Sequence, residues 1–198
     1  MQLFLYHFEK EVKTLGPGKR FVIWTQGCDK RCKNCIAPDT WSKTSGGFYI
    51  SVEELSEKIL TTTNLRGVTI SGGEPFLQSE ALFELVTYLK KVRKELDYIV
   101  YSGYTYEEIL KKKSFRELLE VVDVLIDGEY VDALNYDTPL IGSTNQKVYY
   151  FTERGEKIVE QMAKLTSRDV EIIINSNNEI FIAGVPSKII NIKLGEIL

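Results

Sequence analysis

"GVTISGGEPFLQSEALFELVTYLKKVRKELDYIVYSG", residues 67–103, carries the pattern from which the fold is read. It opens on a short apolar run, "GVTIS" (67–71), and passes through two glycines and a proline. Apolar residues then recur at helical spacing over 79–94, and a second apolar run, "DYIVYSG", follows at 97–103. Short continuous apolar runs bounded by turn signals read as strands buried on both faces, and the middle reads as an amphipathic helix with Ser79 as its expected N-cap. Strand, helix and strand in this order form a βαβ unit, whose strands lie parallel.

The alternation extends both ways. Downstream, "TYEEILKK" (105–112) is a helix in which Thr105 and Glu108 have capping-box spacing. "SFRELLE" (114–120) repeats that spacing with Ser114 and Glu117, and "VDVLIDG" (122–128) is a further strand. Upstream, "LFLYHF" (3–8) and "RFVIWTQ" (20–26) are strands separated by the turn "GPGKR", and "SVEELSEKIL" (51–60) is a helix capped by Ser51. Beyond 145 the pattern changes to a strand at 147–152, a helix at 153–165 and an alternating stretch at 170–185 around Ser176-Asn177-Asn178. That last stretch reads as an antiparallel hairpin. About four βα units fall short of the eight in a closed barrel. The expected fold class is α/β: a partial, open β/α barrel of parallel strands over 1–152, with a C-terminal helix and β-hairpin extension, 153–198, packed on the same domain.

The 198 residues include 43% hydrophobic and 27% charged side chains, as in an ordinary globular chain, with a formal net charge of −3. No general basic field is present to attract nucleic acid. The lysine runs at 90–91 and 111–113 fall in helical patterns and read as solvated faces. The amino terminus lacks the marks of a secretory signal, and no apolar run is long enough to span a membrane, so a cytoplasmic protein with reduced thiols is expected.

"GCDKRCKNC" (27–35) contains all three cysteines of the chain, Cys28, Cys32 and Cys35. Their spacing would also align three side chains on one helix face, but Gly27, Asp29, Asn34 and Pro38 argue for a loop. Structural zinc needs a fourth ligand, and the one histidine, His7, stands far upstream without paired spacing. A redox pair, Cys32 and Cys35, would leave Cys28 unexplained. The remaining reading is a four-iron cluster held by three thiolates on a loop, with one iron open for chemistry.

"TISGGEPFLQ" (69–78) sets Gly72, Gly73 and Glu74 just past the end of a buried strand, where ligands bind in α/β sheets. Two glycines let backbone approach a ligand closely, and Glu74 adds a carboxylate; the plainer alternative is a glycine turn between strand and helix. Ser102 and Gly103 end the next strand and Asp127 the one after, as ligand contacts or as turn and capping residues.

A CxxxCxxC loop followed by a strand ending in GGEP resembles the radical S-adenosylmethionine superfamily. The resemblance implies that Cys28, Cys32 and Cys35 bind a [4Fe–4S] cluster, and that S-adenosylmethionine chelates the fourth iron. It implies that Gly72, Gly73 and Glu74 hold the methionyl end, with Ser102, Gly103 and Asp127 as candidate ribose or methionyl contacts. "GPGKRFVIWTQGC…CKNCIAPDTW" (16–41) and "DVLIDGEYVDALNYDTPLIGSTNQKVYY" (123–150) further resemble the activating proteins of anaerobic ribonucleoside-triphosphate reductase. That narrower resemblance implies a glycyl radical made on a large partner enzyme, with electrons from a small donor such as flavodoxin or ferredoxin, and no membrane or nucleic-acid partner. The segment Gly142-Ser143-Thr144-Asn145-Gln146 would line the opening or touch the partner, or else be a polar turn. This chain has Asn34 before the third cysteine, where the superfamily often has an aromatic residue, and Ile36-Ala37 after it. Two rival readings are a radical enzyme acting on a small molecule or peptide, and a non-enzymatic zinc or electron-transfer module.

Overall fold

The computed structural model describes residues 1–174 and 180–187. Its elements run β1 (Gln2–Val12), β2 (Arg20–Thr25), β3 (Phe48–Ser51), α1 (Val52–Thr61), β4 (Gly67–Gly72), α2 (Ser79–Val92), β5 (Asp97–Tyr101), α3 (Tyr106–Ile109), α4 (Lys113–Val121), β6 (Val124–Asp127), β7 (Lys147–Tyr150), α5 (Glu153–Met162), β8 (Val170–Ile174) and β9 (Ile180–Gly184). Seven strands form one open sheet in the order β3-β1-β2-β4-β5-β6-β7.

The central four, β2-β4-β5-β6, are parallel. The outer pairings, β3–β1, β1–β2 and β6–β7, are antiparallel, so the sheet is mixed where the sequence pattern suggested parallel strands throughout. The correction lies at the edges, where no crossover α-helix separates partners: β1 returns into β2 through a short turn, and β7 follows β6 through a loop with only a single 3₁₀ turn, Asp132–Leu134.

Alternate residues of each central strand go to opposite faces. Phe21, Ile23, Val68, Ile70, Tyr98, Val100 and Leu125 meet α1, α2 and α4 through Leu55, Ile59, Leu82, Leu85, Leu89 and Leu118. On the other face Ile99, Val124 and Ile126 meet Ile158 and Met162 of α5. Val22 and Trp24 there meet Ala183 and Phe181 of β9. Burial on both faces explains the unbroken apolar runs.

Ser51 caps α1, its hydroxyl accepting from the Glu54 N–H at 3.0 Å. At α3, Thr105 and Glu108 close a reciprocal capping box. Ser79 is not the cap of α2. The turn Pro75–Gln78 runs straight into the helix, so Gln78 is the N-cap, and its side chain is spent on the backbone of Phe4 and Gln26. Ser114 likewise lies inside α4, which Lys112 precedes without a side-chain cap.

β8 and β9 pair antiparallel as a separate two-stranded ribbon. The turn expected at Ser176-Asn177-Asn178 lies outside the described residues.

Candidate active site

A cavity of about 570 Å³ opens at the carboxyl ends of the parallel strands, lined by Cys28, Cys32 and Cys35 together with Gly72, Gly73, Glu74, Ser102 and Gly103. The βα connections of a parallel sheet converge at these ends, which is why residues from three strands meet here.

The double glycine is required by the cysteine loop. Gly72 ends β4 at φ +104°, and a Cβ on it would come 2.4 Å from the Thr25 nitrogen. A Cβ on Gly73 would come 2.3 Å from the Gly27 carbonyl oxygen and 2.9 Å from that of Thr40. The Gly73 N–H donates to Thr25 and the Glu74 N–H to Gly27, each at 2.8 Å. Backbone contact at side-chain-free positions thus fixes the root of the cysteine loop to the end of β4.

The Glu74 carboxylate is fully buried and ties two strand ends together. Oε1 accepts from the Phe76 N–H at 3.0 Å and the Ser102 hydroxyl at 2.9 Å, and Oε2 from the Gly103 N–H at 2.7 Å. Burial pushes its pKa up to about 7, against the pull of these three donors. A raised folded-state pKa means the folded chain keeps a proton that the unfolded chain has lost between the ordinary value of 4.5 and about 7. Stability from this group is therefore full below 4.5 and declines as pH rises through 7. The cluster-free protein should lose roughly 3 kcal/mol from this source between pH 4.5 and 8, and Glu74→Gln should flatten that part of the slope in urea titrations. An unchanged slope in the variant rules the assignment out.

The cysteine loop is anchored by its intervening residues. Asp29 accepts from the Tyr104 hydroxyl. Lys30 pairs with Glu108 at 3.4 Å and Glu129 at 3.2 Å, and lies over the Tyr104 ring at 4.2 Å. Asn34, which is in the left-handed region, donates to Asp132. None of these ties was legible in sequence, because each joins residues far apart in the chain.

Asp127 does not line this cavity. Its carboxylate accepts from the Tyr106 N–H at 2.6 Å and the Lys147 N–H at 3.1 Å, joining α3 and β7 beside a smaller pocket.

The thiols suit an iron–sulfur cluster. All three cysteines are free, and the Ala37 N–H donates to the Cys35 sulfur at 3.4 Å. Burial raises the thiol pKa of Cys28 and of Cys32, while backbone N–H groups near both sulfurs favour the thiolate. The three thiols line one cavity, and a cubane takes its thiolates one to each of three irons from such a closely spaced loop.

Comparison with known proteins bears on the same residues. A family model described as a 4Fe-4S single cluster domain matches residues 14–149. Over 145 residues the chain is 33% identical to the anaerobic ribonucleoside-triphosphate reductase-activating protein of Vibrio cholerae, covering 69% of this chain and 91% of that one. The chain belongs to the radical S-adenosylmethionine family of glycyl-radical activases. The protein of the same name from Enterobacteria phage T4 is 32% identical over 142 residues, 70% of this chain and 88% of its own. The pyruvate formate-lyase-activating enzyme of Clostridium pasteurianum is 38% identical over 128 residues, 61% of this chain but 50% of its own. A [4Fe–4S] cluster and S-adenosylmethionine are the cofactors of this activase family.

Within the activase core, the side chains of Ser143, Asn145 and Gln146 in the GSTNQ segment bond to the chain's own backbone. Gln146 Oε1 accepts from the Gly142 N–H at 2.7 Å, and its Nε2 donates to the Gly128 carbonyl at 2.7 Å. Asn145 donates to the Glu129 carbonyl at 2.8 Å, and the buried Ser143 hydroxyl accepts from the Val131 N–H at 3.0 Å. The segment clamps the loop leaving β6, whose Glu129 holds Lys30 and whose Tyr130 backbone faces Cys32.

Proposed function

We propose that this chain activates a glycyl-radical enzyme of the anaerobic ribonucleoside-triphosphate reductase class. The observation that carries the reading is the meeting of three free cysteines, Gly72-Gly73 and Glu74 on one cavity at the carboxyl ends of parallel strands. In this reading Cys28, Cys32 and Cys35 ligate the cluster. Gly72, Gly73, Ser102 and Gly103 border S-adenosylmethionine, while Glu74 positions the ends of β4 and β5 around it. Held by Cys28, Cys32 and Cys35, the cluster would supply the reducing electron for cleavage of S-adenosylmethionine, and with it the radical chemistry that removes a glycine hydrogen from the partner.

The chain's own task is geometric. The Gly73–Gly27 contact fixes the cysteine loop against β4, and the apolar walls at Trp24 and Tyr101 keep water from the reacting atoms. Asp127 acts one step removed in this reading, holding α3 and β7 on either side of the β6 exit. The core spans 1–152 as a partial barrel left open at one side, and the described residues from 153 onward form an extension on the same domain, the rest of the expected 153–198 extension lying outside the described residues. Among the described residues no helix is long and apolar enough to cross a membrane. A small redox protein such as flavodoxin or ferredoxin supplies the electron.

Anaerobic incubation with the reductase, S-adenosylmethionine and a reductant tests the proposal. A doublet glycyl-radical signal in electron paramagnetic resonance, with stoichiometric 5′-deoxyadenosine, is expected. Deoxyadenosine without that signal overturns the choice of partner, and neither product overturns the reading entirely.

A further inference from the structure

The family match ends at residue 149, and the matched stretch already covers 91% of the Vibrio cholerae relative. The β8–β9 ribbon therefore lies beyond the stretch that the family model matches. Ile180, Phe181, Ile182 and Gly184 of β9 nevertheless line the same cavity as the three cysteines. Phe181 meets Trp24 edge-on with ring centres 4.7 Å apart and lies 4.2 Å from His7, and Ala183 is fully buried against the same inner face of the sheet.

The ribbon crosses this face as a strap. At one end Glu171 accepts from the Lys13 N–H at 2.8 Å, and the Thr14 hydroxyl donates to the Ala183 carbonyl at 2.9 Å. Beside these ties, at the same open end of the ribbon, Arg168 donates to the carbonyls of Thr138, Gly142 and Pro186. Among the described residues it forms a sheet of its own, without ladder bonds to the seven-stranded sheet. A two-stranded ribbon is marginal alone, so this one depends on the packing of Ile173, Phe181, Ala183 and Val185 against the sheet and on the polar ties at its open end, and it can leave as a unit.

We propose that the β8–β9 ribbon occupies the face on which a glycine-bearing backbone segment of the partner enzyme docks, and that partner binding displaces it. The inference rests on the activase reading. A backbone hydrogen can react only if its carbon comes within roughly 3–3.5 Å of the attacking atom, so a partner must bring an extended segment into the cavity. β9 is an extended segment already lying there, with a glycine against the cavity. Gly184 has φ +131°, and a Cβ on it would meet the Asp169 carbonyl oxygen at 2.7 Å, so the ribbon itself needs glycine at that point. Two segments cannot share the space. Away from the cavity the ribbon carries Ile172 at 61% exposure and Ile174 at 65%, an apolar handle for the incoming partner. Until the partner arrives, the strap keeps Trp24 and the cavity wall covered.

Hydrogen–deuterium exchange on the full-length holoprotein, with and without purified anaerobic ribonucleoside-triphosphate reductase, tests this. Amides of 170–174 and 180–184 should lose protection when the reductase binds, while those of β2 and β4 stay protected. Phe181→Ala and, outside the cavity, Glu171→Ala should each increase acrylamide quenching of Trp24. Each should also tighten reductase binding several-fold, since less of the chain is held in the closed form. Unchanged or increased ribbon protection on binding, or weaker binding by both variants, overturns the proposal while leaving the activase reading standing if the glycyl radical forms. Absence of both binding and radical with wild type and variants sinks the two together.

Discussion

Cys32→Ala is expected to reduce S-adenosylmethionine cleavage to background and to leave the reconstituted protein well short of about four irons per chain. Cys32 is part-exposed on the loop, outside the hydrophobic core, so its thiol contributes little to folding. The stability of the cluster-free variant should stay within about 0.5 kcal/mol of wild type. Loss of iron with an intact fold separates a ligand from a structural cysteine. Cys28 makes a poorer test, because it is buried and its removal also leaves a gap beside Gly27. Iron content by chemical assay and deoxyadenosine by chromatography check the outcome. Iron and cleavage at wild-type levels would remove Cys32 from the ligand set.

The sequence was most legible where the structure repeats. Central strands such as "GVTI" and "VLID" are mostly apolar on both faces because one set of side chains faces α1, α2 and α4 while the other faces the inner wall. β3 escaped notice because it is four residues long, two of them exposed, and it follows a glycine-rich turn rather than a helix. The edge pairings were hidden for a related reason: nothing within a strand states the direction of its partner. In the site, residue types were readable but their partners were not. Glu74 stood out as a carboxylate beside glycines, yet its two oxygens are spent on Phe76, Ser102 and Gly103, a role that depends on where β5 ends. Asp127 was ambiguous between ligand contact and cap, and its hydrogen bonds go to the backbone of α3 and β7. The GSTNQ segment was ambiguous for a similar reason: polar side chains at a turn look alike whether they face a partner or the chain's own carbonyls.

The GPG-R element, matched upstream only by its letters, gains a physical reason that leads to the second large effect. Arg20 is fully buried at the amino end of β2, 2.6 Å from Asp97 Oδ1, and it donates to the Thr69 hydroxyl and the Val68 carbonyl. A Cβ on Gly16 would meet Ile99 at 2.7 Å and the Arg20 side chain at 2.9 Å, so the turn must be bare for the guanidinium to lie inside. Asp97→Ala should destabilise the cluster-free protein by about 3–5 kcal/mol, because a charge with no water near it loses its counterion. Arg66 adds to the asymmetry: it holds the other Asp97 oxygen at 3.0 Å from a partly exposed position and can turn to solvent, whereas Arg20 cannot. The double variant Arg20→Met/Asp97→Ala should recover much of the loss, since it removes the stranded charge with its partner. Urea denaturation checks both, and a loss under 1 kcal/mol for Asp97→Ala would mean that water reaches Arg20. The pair lies at the amino ends of β2 and β5, opposite the strand ends that border the cysteine cavity, so the folded fraction of Asp97→Ala should still take up iron. Stability and cluster binding should thus fail separately, the first at Asp97 and the second at Cys32.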